Sequence, residues 1–133
     1  MKQVAKVLII DSEDRYLLMR RGDHPYFLND PDLPGGTIEE DEEVLEAAIR
    51  EVREETNISL DSSTVQHIYT GSEYSARGTE YSLYIARIAD RPAVAISWEH
   101  ASFAWVSREE FLKQARNAAD PYMRMVHSVV SNN

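Results

Sequence analysis

The chain contains no cysteine. Disulfides and thiolate zinc sites are therefore excluded, and a cytoplasmic location is the expectation. Positive charge is also scarce: 14 lysines and arginines stand against 23 acidic residues, a formal net charge of -9. That balance argues against nucleic-acid polymers and anionic membranes as partners. No apolar stretch approaches the roughly 18 residues needed to span a bilayer. The N-terminal run Val4 to Ile10 is short and interrupted by Lys6, so no signal peptide is expected. Repeats, low-complexity tracts and long linkers are missing as well. With 133 residues and 43% hydrophobic content, a single domain over residues 1–133 is expected.

What is present is an alternation of strand and helix patterns. Val4 to Ile10 reads as a buried strand, and Arg15 to Arg20 as its hairpin partner across a turn at Asp11-Ser12-Glu13-Asp14. Residues 22–34 read as a loop with three prolines. A helix is predicted over Glu42 to Thr56. Val65 to Tyr74 and Glu80 to Ile88 read as strands, Ala93 to Ser97 as another, and Phe103 to Val106 as a short one. Ser107-Arg108-Glu109-Glu110 has capping-box spacing for a helix to about Asn117. Asp120-Pro121 opens a last helix, with Asp as N-cap and Pro at the first position. The pattern predicts an α/β fold, a mixed sheet with helices on its faces.

The most informative segment is the helix over Glu42 to Thr56 and the turn before it. Glu51, Glu54 and Glu55 stand at i, i+3 and i+4, so at about 100° per residue they share one arc of the surface. Leu45, Ala48, Ile49, Val52 and Thr56 take the adjacent arc, the expected core face. Residues 39–55 hold nine acids and two arginines, a local net charge of -7. Carboxylates crowded in this way repel one another. A hard divalent cation with oxygen ligands, magnesium or manganese, reverses the sign of that interaction. The ordinary reading of such a run is a solvated face. Against it stands Pro34-Gly35-Gly36, a turn in which glycine permits close backbone approach or positive φ.

The spacing Gly36, five residues, Glu42, seven residues, Arg50-Glu51-Val52, one residue, Glu54-Glu55, one residue, Asn57-Ile58 resembles the Nudix box. One fixed position departs: the family has Gly where Asn57 stands, and Asn is the next-best residue for a left-handed helix end. The resemblance implies a Nudix-type α/β/α sandwich with a loop-helix-loop catalytic motif. It implies Mg²⁺-dependent hydrolysis of a nucleoside diphosphate linked to another group, with Mn²⁺ as the alternative ion. Glu51, Glu54 and Glu55 would be metal ligands, with the Gly35 carbonyl as a further oxygen. Gly36 and Glu42 would be structural, with Glu42 paired to Arg50 and Arg50 orienting the carboxylates.

Outside the box, Glu99 resembles the downstream carboxylate that many family members use as metal ligand or general base; Glu54 and His100 are alternatives for the base. Arg20 and Arg21 end a strand, where side chains alternate, and the resemblance favours Arg21 as a phosphate contact. Tyr26, Phe27, Tyr74 and Tyr81 are candidates for stacking on a base. Arg77 reads as exposed.

For substrate, ADP-ribose hydrolases of the family often carry a proline where Ser72 and Glu73 stand here. Tyr74 fits the spacing of dinucleoside polyphosphate hydrolases. The length suits MutT-like enzymes that cleave nucleoside triphosphates, oxidised ones included, to a monophosphate and pyrophosphate, and these are placed first. A non-catalytic nucleotide sensor is the reading of another class. Loss of box glutamates would mark it, and all three are intact. The expected partner is a small nucleotide, with the chain a monomer or homodimer.

Overall fold

The computed structural model describes residues 2–22, 26–97 and 100–132. The first strand, β1 (Gln3–Ile10), is apolar on both sides because both of its faces are covered. Ala5, Val7 and Ile9 pack with Ala47, Ala48 and Val52 of α1 (Val44–Thr56). Leu8 and Ile10 pack on the other side with Phe111 of α2 (Arg108–Arg116) and Tyr122, Met123 and Val126 of α3 (Pro121–Ser131). Two hydrophobic layers thus flank one sheet, the α/β/α arrangement expected. Lys6 belongs by parity to the α2–α3 side and is buried there.

The sheet is mixed. On one edge β1 pairs along its whole length, in parallel, with β6 (Glu80–Arg87), which pairs antiparallel with β5 (Val65–Gly71). On the other edge β1 has two partners. β2 (Tyr16–Arg21) meets it only at Ile10↔Tyr16, the base of the hairpin. Beyond that point the strands part. The chain between them, β3 (Pro31–Asp32) and β4 (Gly35–Thr37), bridges the opening: β3 pairs with β2 at Met19 and Arg20, and β4 pairs with β1 at Val4, Ala5 and Lys6. β7 (His100–Val106) lies antiparallel on the far side of β2.

Four sequence expectations need correction. Residues 31–37 are not simply loop; they form β3 and β4, two very short strands created by partners distant in sequence. Residues 93–97 are not a strand. Their N–H groups instead reach the last turn of α1, Ala95 to the Thr56 carbonyl at 3.0 Å and Ser97 to the Glu55 carbonyl at 3.1 Å. These are carbonyls a helix C-terminus leaves without internal partners. β5 stops at Gly71 rather than Tyr74, and β7 starts at His100 rather than Phe103.

The helix ends follow their sequence signals closely. Glu43 caps α1 by accepting the Glu46 N–H at 2.8 Å, and Asn57 ends it in the left-handed conformation at φ 66°. Its buried face is Ala47, Ala48, Val52, Glu55 and Thr56, while Leu45 and Ile49 are half-buried. The core face is therefore turned toward Glu55. Ser107 Oγ accepts the Glu110 N–H, and Asp120 caps α3 with Pro121 in its first turn. Among the described residues no helix is long and apolar enough to cross a membrane.

Gly35 is required by this arrangement. Its φ is +138°, and a Cβ there would overlap the Ala5 carbonyl oxygen and lie 2.5 Å from the Lys6 Cα. Gly35→Ala is expected to cost about 3 kcal/mol or more, from backbone strain and overpacking together. Thermal unfolding followed by circular dichroism should show a midpoint lower by roughly 10 °C. A midpoint equal to wild type would mean that β4 does not lie this close to β1.

Candidate functional site

Because β4 is pinned to β1 and α1 packs across the same region, the Gly35-Gly36 backbone lies against the carboxylate side of the helix. The Gly35 N–H points to Glu55 Oε1 at 3.4 Å. The position a Gly36 Cβ would occupy is 3.6 Å from the Glu51 carboxylate. The three box glutamates have different surroundings. Glu55 is buried, Glu51 half-buried, and Glu54 exposed.

Arg50 ties the solvent side together. Its guanidinium contacts Glu42 at 2.8 Å, Glu54 at 2.8 and 3.1 Å, and Glu51 at 3.4 Å. The pair that the box spacing suggested, Glu42 with Arg50, is present. The Glu39 N–H and then Arg50 hold the Glu42 carboxyl below its ordinary pKa. Among the described residues no three carboxylate or imidazole groups converge into a ready-made cation cage, since Glu54 is turned onto Arg50. Glu51 and Glu55 nevertheless share the glycine turn. Two carboxylates are a normal protein contribution to magnesium, which keeps several waters and takes further oxygens from substrate phosphates.

From this turn a cleft of about 790 Å³ opens between the parted strands. Its floor is a buried polar cluster. Lys6 Nζ lies 2.5 Å from Asp32 Oδ1, and His100 Nε2 lies 2.9 Å from Asp32 Oδ2. His100 Nδ1 faces Glu55 Oε1 at 3.9 Å. Arg21 bonds Asp120 at 2.5 Å, stands 3.6 Å from Asp32, and lies over the Phe27 ring. Burial alone would raise the Asp32 pKa. The Lys6 charge, the His100 hydrogen bond and the Arg21 charge outweigh it and hold the carboxyl far below its ordinary range.

The structure brings Gly35, Gly36, Glu55, Arg21, Phe27 and Tyr81 to one cleft, with Glu51 beside Gly36. Arg21 faces it while Arg20 turns to the Asn29 carbonyl and Gln114, the alternation expected of a strand end. Arg77 is exposed and lines the cleft. Tyr26 lines it too, although 83% exposed. Tyr74 is not among the lining residues; it packs edge-on against Tyr69. Glu99 lies outside the described residues. Sequence reasoning missed the Lys6–Asp32 pair and gave Asp120 only a capping role. One signal was available: a lysine inside an otherwise apolar strand needs a buried partner.

Asp32→Asn would leave Lys6 buried beside a neutral amide, and the expected loss is about 3–5 kcal/mol at pH 7. Because the folded-state pKa is depressed, this contribution is full above the unfolded value near 3.9 and fades as pH falls through the folded value. The gap in melting temperature between wild type and Asp32→Asn should be widest at neutral pH and narrow below about pH 4. Equal melting temperatures at pH 7 would show that the pair does not stabilise the fold.

Comparison with known proteins agrees with the geometry. The family model for the NUDIX domain matches residues 1–126. A Bacillus subtilis (strain 168) protein named "Putative 8-oxo-dGTP diphosphatase" is 32% identical over 79% of this chain and 66% of its own length. An asymmetrical bis(5'-nucleosyl)-tetraphosphatase from Caenorhabditis elegans is 31% identical over 62% of each chain. An ADP-ribose pyrophosphatase from Methanocaldococcus jannaschii is 33% identical over 56% of this chain and 44% of its own. The chain thus spans less than two thirds of the length of the curated relatives it matches. In fold it resembles the MutT protein from Methanosarcina mazei Go1, with a TM-score of 0.74, 24% identity, and coverage of 98% and 92% of the two chains. With the box glutamates and the glycine turn placed together, and a family match running from residue 1 to residue 126, this chain belongs to the Nudix family.

Proposed function

We propose that the protein is a divalent-cation-dependent pyrophosphohydrolase acting on a nucleoside diphosphate linked to another group, with residues 1–133 as its one catalytic domain. The observation that carries this reading is the Gly35-Gly36 turn laid against Glu51 and Glu55 at the mouth of the cleft. Glu51, Glu55 and the Gly35 carbonyl would hold the cation, Mg²⁺ or Mn²⁺, and Glu54 would add a third carboxylate when released from Arg50. The bound cation would neutralise phosphate charge and lower the pKa of a bound water.

The remaining work belongs to the chain. Glu42 and Arg50 clamp the loop before α1 to the helix and set the direction of its carboxylates. Glu99 keeps its place as a proposed base or ligand. Arg21 already serves two carboxylates, so it would reach a phosphate only by exchanging one of them. Tyr26 and Phe27 line the cleft and would stack on a base, whereas Tyr81 is buried against Tyr122 and would contribute at most an edge. Tyr74, which packs edge-on against Tyr69 outside the cleft lining, keeps its place as a proposed contact for the outer part of a substrate.

A nucleoside triphosphate, oxidised ones included, is the first substrate proposed, with a monophosphate and pyrophosphate as products. The relative named for 8-oxo-dGTP supports it. A dinucleoside polyphosphate is second, supported by the tetraphosphatase.

The test is product release from a panel of common and oxidised nucleoside triphosphates, dinucleoside polyphosphates and ADP-ribose, with magnesium and with chelator. Glu54→Gln and Glu55→Gln remove a ligand charge with little change of shape. Each is expected to keep the wild-type circular dichroism spectrum and lose about 100-fold or more in turnover, the scale of several kcal/mol. Wild-type turnover in both would overturn the assigned site. Nucleotide binding without turnover in the wild type would favour a sensor.

A further inference from the structure

Four lysine and arginine side chains line the cleft, and they fall into two pairs. Lys6 and Arg21 are taken up at the floor, Lys6 by Asp32 and Arg21 by Asp120 and Asp32. Lys2 and Arg77 are exposed, and neither forms an ion pair with any described residue. The chain carries 23 acids and a net charge of -9, so acids to pair with are plentiful. Glu80, the acid beside Lys2 in the sheet, is turned away. It stands opposite Gln3 in the β1–β6 register and accepts the Gln3 amide at 3.0 Å, on the α1 side by parity. Lys2, Val4 and Lys6 share the other face by alternation, and these three line the cleft whereas Gln3 and Ala5 do not.

Arg77 is delivered by the turn between β5 and β6. Ser75 Oγ accepts the Arg77 N–H at 3.3 Å and the Thr79 N–H at 3.1 Å, and the Ser75 carbonyl accepts the Gly78 N–H at 3.2 Å. The Glu80 N–H then bonds the Lys2 carbonyl at 2.9 Å, which ties the end of this turn to the start of β1. The backbone under both cations is thus fixed at one end of the cleft, while their long side chains can turn to a ligand. Lys6 is level with Gly35 in the β1–β4 pairing, where the cation is proposed to sit. Lys2 lies four residues back along β1, about 13 Å at 3.3 Å per residue. Between the two levels the wall is Val4 and Tyr81, which carry no charge. Ammonium and guanidinium groups are both good phosphate ligands. An anion at the Lys2–Arg77 end is therefore distinct from the phosphates gathered at the cation.

We propose that Lys2 and Arg77 form an outer anion subsite that takes a phosphate of the substrate lying beyond the scissile pyrophosphate. This rests on the reading of the cleft as a pyrophosphohydrolase site given above and adds a selection to it. Substrates with three or more phosphates in the chain gain a contact that two-phosphate substrates such as ADP-ribose lack. The phosphate is the terminal one of a nucleoside triphosphate or an outer one of a dinucleoside polyphosphate, and the recognition chemistry is the same for both.

The probes are inorganic pyrophosphate and inorganic tripolyphosphate in excess Mg²⁺. Each is titrated calorimetrically into wild type and into the double variant Lys2→Gln, Arg77→Gln, with thermal melting of both proteins alongside. Wild type is expected to bind tripolyphosphate more tightly than pyrophosphate. The variant is expected to lose about 10-fold of that preference, the scale of one charge-assisted contact. A structural role alone would weaken both probes alike. That result, an unchanged preference, or a wild type that does not favour tripolyphosphate would overturn the proposal.

Turnover distinguishes the two sources of the phosphate. A KM raised about 10-fold by the double substitution for a nucleoside triphosphate, relative to ADP-ribose, identifies the terminal phosphate. The same rise for a dinucleoside tetraphosphate alone identifies the outer phosphates of the longer chain. No rise for either would overturn the subsite. Absence of turnover by wild type on every substrate would instead overturn the pyrophosphohydrolase reading, and the tripolyphosphate titration would still decide the subsite.

Discussion

The parting of β1 from β2 beyond Ile10 and Tyr16 is the constraint on which the rest of the site depends. A hairpin that stayed zipped would leave no room for β3 and β4. Because it opens, residues 31–37 can pair with both strands at once. That pairing fixes Gly35 beside Lys6 and turns the following backbone toward α1. The glycine at 35 is the permissive element, and the Ala5 and Lys6 backbone is what it must pass.

Charge is arranged in two tiers around this opening. On the solvent side Arg50 is shared among Glu42, Glu51 and Glu54, contacts that are individually weak because water screens them. On the cleft floor Lys6, Asp32, His100, Arg21 and Asp120 are buried or nearly so, and each contact there is strengthened by the loss of water. The buried tier is nearly matched in sign. Beside the glycine turn the excess negative charge is that of Glu51 and Glu55, which is where a divalent cation would be most stabilising.

How much of this was legible in the sequence follows from how local each feature is. The box helix was readable because its period, its Asn57 end and the Glu42–Arg50 pair all lie within one short segment. The start of α3 was readable because Asp120-Pro121 is a complete capping signal. Its second use, as partner of Arg21 99 residues away, was not. The Lys6–Asp32 and Asp32–His100 contacts span 26 and 68 residues, and only the odd lysine in β1 hinted at them. β3 and β4 were missed because strands of two and three residues have no periodicity of their own. Residues 93–97 were misread because an extended chain bonded to a helix end has the same local pattern as a strand.

The central claim is that a divalent cation sits between the Gly35-Gly36 turn and the Glu51–Glu55 face of α1. It is tested most directly by adding substoichiometric Mn²⁺ to ¹⁵N-labelled protein and mapping paramagnetic broadening of the backbone amides. Broadening should be strongest at Gly35, Gly36, Glu51 and Glu55 and should be reversed by chelator. Broadening centred on the exposed acids of residues 39–46, with the glycine turn unaffected, would contradict it.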